Sequence, residues 1–160
     1  MNEADKLHAL RRSLLGSELD EAEIPVLAGQ MGVATRHDGE TLLIEGDAHR
    51  TLFLLADGVI NVVKAVGGHE ETVYQLQVGE CAGTRAFVDG SPRKAGLRSQ
   101  GDSTVLTLEP AAFESLVDTH PRLVYKVMRA FFRTTHANLM RMNLESNELR
   151  NYLLKTGGRY

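Results

Sequence analysis

The densest concentration of chemically capable residues is the stretch Val78–Ser99, VGECAGTRAFVDGSPRKAGLRS. It sets Gly79, Gly83 and Gly90, the basic pair Arg93-Lys94 and the only cysteine, Cys81, within reach of one another. The chemistry these residues suit is the holding of an anion. A short helix starting near Thr84 would turn its first amides, those of Arg85 and Ala86 among them, toward a phosphate, because first-turn amides have no acceptor inside the helix. Gly83 lets the backbone come close, and Arg93 can grip a phosphate through two parallel hydrogen bonds. An arginine turned into a small β domain is costly to leave unpaired. The alternative is a plain hairpin from which Arg93 points to solvent.

No residue set for catalysis stands beside this one. The six histidines, His8, His37, His49, His69, His120 and His136, show no His-Glu-x-x-His spacing, and a lone cysteine makes no Cys-x-x-Cys pair. Neither a metal site nor an enzyme is therefore expected. There is no Gly-x-Ser-x-Gly elbow, and the glycine-rich stretch lacks the Gly-Lys-Ser/Thr ending of a nucleotide-hydrolysing loop. Cys81 is either a redox sensor with a lowered thiol pKa or a buried, inert thiol.

The elements that must position the stretch are legible from the hydrophobic period. Asn2–Leu15 reads as a helix with Leu7, Leu10, Leu14 and Leu15 on one side. A second short helix follows behind a Ser17-x-x-Asp20 opening of capping-box type, with Leu19, Ile24, Leu27 and Met31 apolar and Pro25 acceptable only in the first turn. From Val33 the period changes to short runs rich in Val, Leu, Ile and Thr. Asp-Gly, Gly-Gly and Gly-Asp turns break them at intervals of about 8 to 12 residues, which predicts a compact antiparallel sandwich or barrel.

After Leu108 the helical period returns. EPAAFESLVDTH predicts a short helix with Phe113, Leu116 and Val117 on one face. Pro121 then opens a helix of about 30 residues with no breaker before Gly157. Tyr125, Met128, Phe132, Thr135, Leu139, Met142, Ser146, Leu149 and Leu153 follow alternating steps of three and four. Such a heptad seam calls for a surface to lie against, with a homodimer as the simplest arrangement and a helix folded onto its own core as the alternative. Val124, Val127 and Phe131 lie on a neighbouring face suited to the β domain.

The chain is thus an α+β protein. An N-terminal helical segment, 1–31, precedes an antiparallel, jelly-roll-like β-roll, 32–109, with the anion-binding stretch at 79–96. C-terminal helices, 110–156, include the dimerisation helix. A length of 160 residues suits one core, and 42% hydrophobic with 24% charged residues is ordinary for a globular protein. No apolar run is long enough to span a bilayer and the N-terminus has no signal-peptide pattern, so a cytoplasmic location is expected. The net charge of −3 conceals an uneven distribution: residues 1–50 hold 5 basic and 10 acidic groups, residues 121–160 hold 8 and 2. The basic end is either a solvated helix face or a docking surface for an acidic partner or nucleic acid.

This order of elements, with HDGETLLIEGD, LFLLADGVINVVK and the stretch from Val78 in succession, resembles the cyclic nucleotide-binding domain family. Catabolite activator proteins, kinase regulatory subunits and nucleotide-gated channels share that domain. The resemblance covers roughly residues 12 to 145. In that family the third motif is the phosphate-binding cassette, Gly-Glu-x-x-Gly-Glu, then small or apolar residues, a turn and Pro-Arg-x-Ala. Gly79, Glu80, Gly83, Ala86, Gly90, Pro92, Arg93 and Ala95 stand where that pattern wants them. Thr84 does not: the family's carboxylate there accepts from the ribose 2′-hydroxyl.

The resemblance implies a non-catalytic sensor holding a cyclic nucleotide through Gly83, Thr84, Arg85, Ala86, Arg93, Lys94 and Ala95. Lys94 stands where members that favour cyclic GMP often carry Ser or Thr, which leans toward cyclic AMP or a ligand of more negative charge. Arg85 replaces an apolar residue and is either a second cationic contact or a solvated side chain. Thr135, in RTTHANL, lies about where activator proteins present Thr or Ser to adenine, and equally suits a polar seam residue that sets register. A degenerate fold serving only as a dimerisation or docking module is the rival reading. Only KTGGRY follows the long helix, so direct DNA binding is not expected, and the downstream protein is unknown.

Overall fold

In the computed structural model, which describes residues 1–156, the chain runs α1 (Glu3–Arg11), a 3-10 turn (Gly16–Glu18), α2 (Glu23–Gln30), β1 (Met31–Arg36), β2 (Thr41–Leu43), β3 (Leu52–Val66), β4 (His69–Leu76) and β5 (Cys81–Ala82). It continues through α3 (Thr84–Asp89), β6 (Gly96–Leu108), α4 (Pro110–Glu114), α5 (Leu116–Thr119) and α6 (Pro121–Thr156). All strand pairs are antiparallel. The sheet order is β1-β6-β3-β4, with β2 also paired to β6 and β5 to β3. This is the α+β fold with an antiparallel β-roll, flanked by N-terminal helices and a long C-terminal helix, that the periodicity predicts.

The two long strands, β3 and β6, organise the core because side chains alternate across a strand. Leu52 and Leu54 face the helices, joining Leu106, Leu108, Leu10, Ile24 and Leu27. Phe53 and Leu55 face the other way, into the roll, with Val105, Leu97, Ile60 and Leu76. The uninterrupted run LFLL is therefore what a strand covered on both faces requires. β3 changes register on either side of Asp57. Gly58 supplies the bend there at φ 88°, and a side chain on it would collide with the backbone of Asp102 and Ser103.

Several local expectations are corrected. The first helix stops at Arg11, not Leu15: the Ser13 hydroxyl donates to the Leu10 carbonyl at 2.6 Å and accepts from the Gly16 amide at 3.1 Å, which folds the chain back. The capping box before α2 lies one turn later than Ser17-x-x-Asp20. The Asp20 carboxylate accepts from the Glu23 amide at 3.0 Å, and the Glu23 carboxylate from the Asp20 amide at 2.9 Å. Pro25 does fall in the first turn. Phe113 and Leu116 are buried, whereas Val117 is exposed, because the chain breaks into α4 and α5 at Ser115.

Helix α6 spans 36 residues and divides into two parts. Leu123, Val127, Ala130 and Phe131 pack on the core, and none of the described residues beyond Phe131 is buried. The seam residues Tyr125, Phe132, Leu139, Met142, Leu149 and Leu153 are exposed. The expected stop at Gly157 lies outside the described residues. Among the described residues, no helix is long and apolar enough to cross a membrane.

The basic end of the chain finds acidic partners within the molecule. Arg129 and Arg133 both bond to Glu18, and Lys126 bonds to Glu23 at 2.7 Å and lies 3.6 Å from Asp20. Burial pushes the Glu18 carboxyl up, but the hydrogen bonds and charges of Arg129 and Arg133 outweigh it and hold the group below its ordinary value. A folded-state value below the unfolded one contributes stability that is present above the unfolded pKa and lost as pH falls through the folded one. Glu18→Gln is therefore expected to lower the thermal midpoint at pH 7 and to flatten its fall below about pH 4.5, as measured by thermal unfolding across a pH series.

Candidate functional site

The cassette begins where Gly79 leaves the sheet. Its amide donates to Leu55 O at 2.8 Å and its carbonyl accepts from Leu14 at 2.9 Å, tying the N-terminal segment to the loop. Gly83 is at φ 86°, and from it α3 starts; the first helical bond runs from the Phe87 amide to the Gly83 carbonyl, at 3.0 Å. The amides of Thr84, Arg85 and Ala86 thus emerge at the helix opening without intrahelical acceptors. At the other end Gly90, at φ 72°, closes the helix, and Arg50 caps it by donating to Ala86 O at 3.2 Å and Phe87 O at 3.0 Å.

Arg93 returns across this opening. It is only 4% exposed. Its Nη2 donates to Thr51 O at 2.6 Å and its Nη1 to Gly83 O at 3.3 Å, and its guanidinium carbon lies 5.8 Å from the centre of the Phe53 ring. Among the described residues its Nε is buried with no acceptor and no carboxylate pairs with it. Burial lowers its pKa, opposed by the charges of Asp47 and Glu109, yet a guanidinium stays protonated at any physiological pH. A methyl group on Gly83 would collide with Nη1 of Arg93, so glycine is required there for close approach as well as for its positive φ.

Around this pair lies a cavity of about 470 Å³. Gly83, Thr84, Arg85, Ala86, Arg93, Lys94 and Ala95 all line it, which brings seven of the eight sequence-predicted residues together. Thr135 is the exception. It is exposed on the seam face, and Thr134, one residue and about 100° earlier on the helix, lines the cavity with Asn138, Arg141 and Met142. Leu14, Leu43, Val62, Val73, Leu76 and Leu97 give the wall an apolar part.

Glu80 lies in the wall but is engaged. Its carboxylate accepts from the Tyr74 hydroxyl at 2.8 Å and from the Gln77 amide at 2.9 Å. Burial and then the Glu80 hydrogen bond push the Tyr74 phenol up. Burial, followed by the Glu80 charge, pushes the Cys81 thiol up to about 12, which favours the inert thiol over the redox sensor. Arg50, Thr51 and Thr134 escaped the sequence reading. Arg50 reaches α3 over 36 residues of chain, and no local spacing signals such a contact.

An anion cradle of this form on a β-roll has a known counterpart. The sequence profile described as the cyclic nucleotide-binding domain matches residues 35–120. The chain belongs to this family. The domain is 26% identical over 117 residues to human cGMP-dependent protein kinase 2, across 71% of this chain and 15% of that one. The chain therefore spans about 15% of that curated relative's length. Among solved structures it resembles a cyclic nucleotide-binding domain from Methylobacillus flagellatus KT, with 23% identity, a TM-score of 0.76 and coverage of 87% of this chain and 79% of that one. It also resembles the regulatory domain of Toxoplasma gondii PKA solved with cAMP, with 25% identity, a TM-score of 0.63 and coverage of 71% and 43%.

Gly83→Ala is expected to destabilise the domain by about 1–3 kcal/mol, since it forces an L side chain into a positive-φ position against a buried guanidinium; urea unfolding measures this. Cys81 is expected to react with a thiol reagent at pH 8 far more slowly than a free thiol, because a thiol with a pKa of about 12 holds almost no thiolate there. Labelling at the rate of a free thiol would contradict this.

Proposed function

We propose that the chain is a non-catalytic regulatory domain that binds a cyclic nucleotide between Gly83 and Arg93 and passes the binding signal to α6. One observation carries this: a buried guanidinium with an unpaired Nε and no acidic partner sits at the opening of a helix whose first amides face the same cavity. A phosphate supplies what each group lacks. Gly83, Ala86 and Ala95 admit it closely, and Arg93 pairs with it. Thr84 and Arg85 lie toward the sugar, and Lys94 favours the adenine form, as in cyclic AMP. Thr134 and Asn138 face the cavity from α6 and are placed to meet the base, while Thr135 serves the seam.

The route to the long helix runs through three rings. Phe87 of α3 packs against Phe113 of α4, with centroids 5.5 Å apart, and edge-on against Phe131 of α6 at 5.9 Å. Drawing α3 toward a phosphate displaces Phe87, and the packed rings carry that shift to α6. The exposed seam completes the output as a homodimer. A parallel pairing places Glu145, just before a seam position, opposite Arg150 of the partner subunit. The organisation follows the division at 1–31, 32–109 and 110–156, in a reducing, cytoplasmic setting, with a protein as the downstream partner.

A second reading is favoured by Thr84 and by the engagement of Glu80, which together leave no carboxylate for a ribose hydroxyl: the fold acts as a dimerisation or docking module with no ligand. Calorimetric titration separates the two. Cyclic AMP is expected to bind, Arg93→Ala to abolish binding, and Thr84→Glu to tighten it about five- to thirtyfold, because a charged acceptor adds about 1–2 kcal/mol over a hydroxyl. No heat at high micromolar ligand, with an unmoved thermal midpoint, decides for the docking module. Leu139→Lys with Leu149→Lys is expected to convert the dimer to a monomer in sedimentation equilibrium.

A further inference from the structure

The cavity is more cationic than one phosphate needs. Four cations line it: Arg93 at its base, and Arg85, Lys94 and Arg141 around it. Among the described residues Lys94 makes no ion pair, and the partners of Arg85 and Arg141 are neighbours on their own helices, Asp89 at 3.9 Å and Glu145 at 4.0 Å. The one carboxylate in the wall, Glu80, already accepts from Tyr74 and Gln77. A ligand with a single negative charge meets Arg93 and, with Glu80 the one carboxylate of the wall, still leaves the lining with an excess of positive charge.

The neutral wall points the same way. Thr84 sets a hydroxyl beside Arg85, and a hydroxyl donates to a phosphate oxygen as well as it accepts from a sugar. Elsewhere in the wall Leu14, Val73 and Tyr74 offer an apolar surface, with the Tyr74 ring partly exposed. That surface suits a second planar base.

We infer that the preferred ligand carries two phosphodiesters, a cyclic dinucleotide, with one phosphate on Arg93 and the α3 amides and the second among Arg85, Lys94 and Arg141. This rests on the reading of the cavity as a cyclic nucleotide site and narrows its ligand class. Cyclic AMP then fills only the Arg93 half and binds more weakly. The extra cations are exposed, so their contribution is screened by salt, whereas the buried Arg93 contact is screened much less.

The test is titration of the purified chain with cyclic di-AMP, cyclic di-GMP, cyclic AMP and inorganic pyrophosphate, at about 50 mM and about 500 mM salt. The expected result is a cyclic dinucleotide at least about tenfold tighter than cyclic AMP at the lower salt, with the gap narrowing at the higher. Thr84→Glu is expected to move the two ligands in opposite directions, tightening cyclic AMP and weakening the dinucleotide, a pattern that misfolding cannot produce. Lys94→Ala is expected to cost the dinucleotide more than cyclic AMP. If cyclic AMP binds as tightly as either dinucleotide or more tightly, the inference falls and the cyclic nucleotide reading stands. If pyrophosphate matches the nucleotides, the site is a general anion cradle and the inference falls. If no nucleotide binds, both readings fall together.

Discussion

The cassette is shaped around one unfavourable fact, a guanidinium placed in the roll without a carboxylate to answer it. Removing a charge from water costs several kcal/mol unless hydrogen bonds and an opposite charge compensate. Here compensation is partial: the carbonyls of Thr51 and Gly83 accept, and Phe53 offers its ring face, but Nε remains without an acceptor. Keeping Arg93 in place constrains its neighbours. Gly83 must lack a side chain, and the loop before β3 must deliver the Thr51 carbonyl. The same loop sends Arg50 to cap α3, so two adjacent residues fix both the arginine and the helix it faces.

The cassette is also bound to everything that could respond to it. Through Phe87 it shares a cluster with Phe113 and Phe131, and through Gly79 it holds the N-terminal segment at Leu14. That segment in turn grips α6 by ion pairs at Glu18 and Glu23. The acidic beginning and basic end of the chain, which look like separate docking surfaces as composition, meet in one intramolecular contact that engages Glu18, Asp20 and Glu23 on one side and Lys126, Arg129 and Arg133 on the other. The pairs stop at Arg133, and the cavity-lining residues of α6 begin at Thr134. The long helix is therefore tethered in its first half and exposed in its second, with the cavity at the boundary between them.

Much of the fold was legible because it rests on periods. The alternation of β3 and β6, the glycine turns and the seam of α6 are all written in residue spacing. Local hydrogen bonding was less legible. Ser17-x-x-Asp20 and Asp20-x-x-Glu23 are equally good capping boxes on paper, and only the fold-back at Ser13 decides between them. The cassette residues were found because they are contiguous. Arg50, Thr51 and Thr134 were missed because they reach the site from other elements. The displacement from Thr135 to Thr134 has a simple cause: the two residues stand about 100° apart on one helix, so the one on the seam turns away from the wall that Thr134 lines, and seam and wall meet only farther along, at Met142.

The departure at Thr84 bears on whether the loop retains a ligand. A loop kept only for its shape gains nothing from a buried guanidinium. An apolar residue of similar volume at position 93 is often neutral or stabilising where a buried charge is not, and it would release Gly83 from its close approach. The chain instead keeps the closely packed glycine, the unpaired Nε and the open amides together, and lines the same cavity with three further cations against the single carboxylate of Glu80. Local rules broken jointly, at one place and toward one chemistry, are the mark of a site and not of a scaffold. On the proposed reading, Thr84 alters which group stands beside a bound phosphate and leaves Arg93 and the first amides of α3 to hold it.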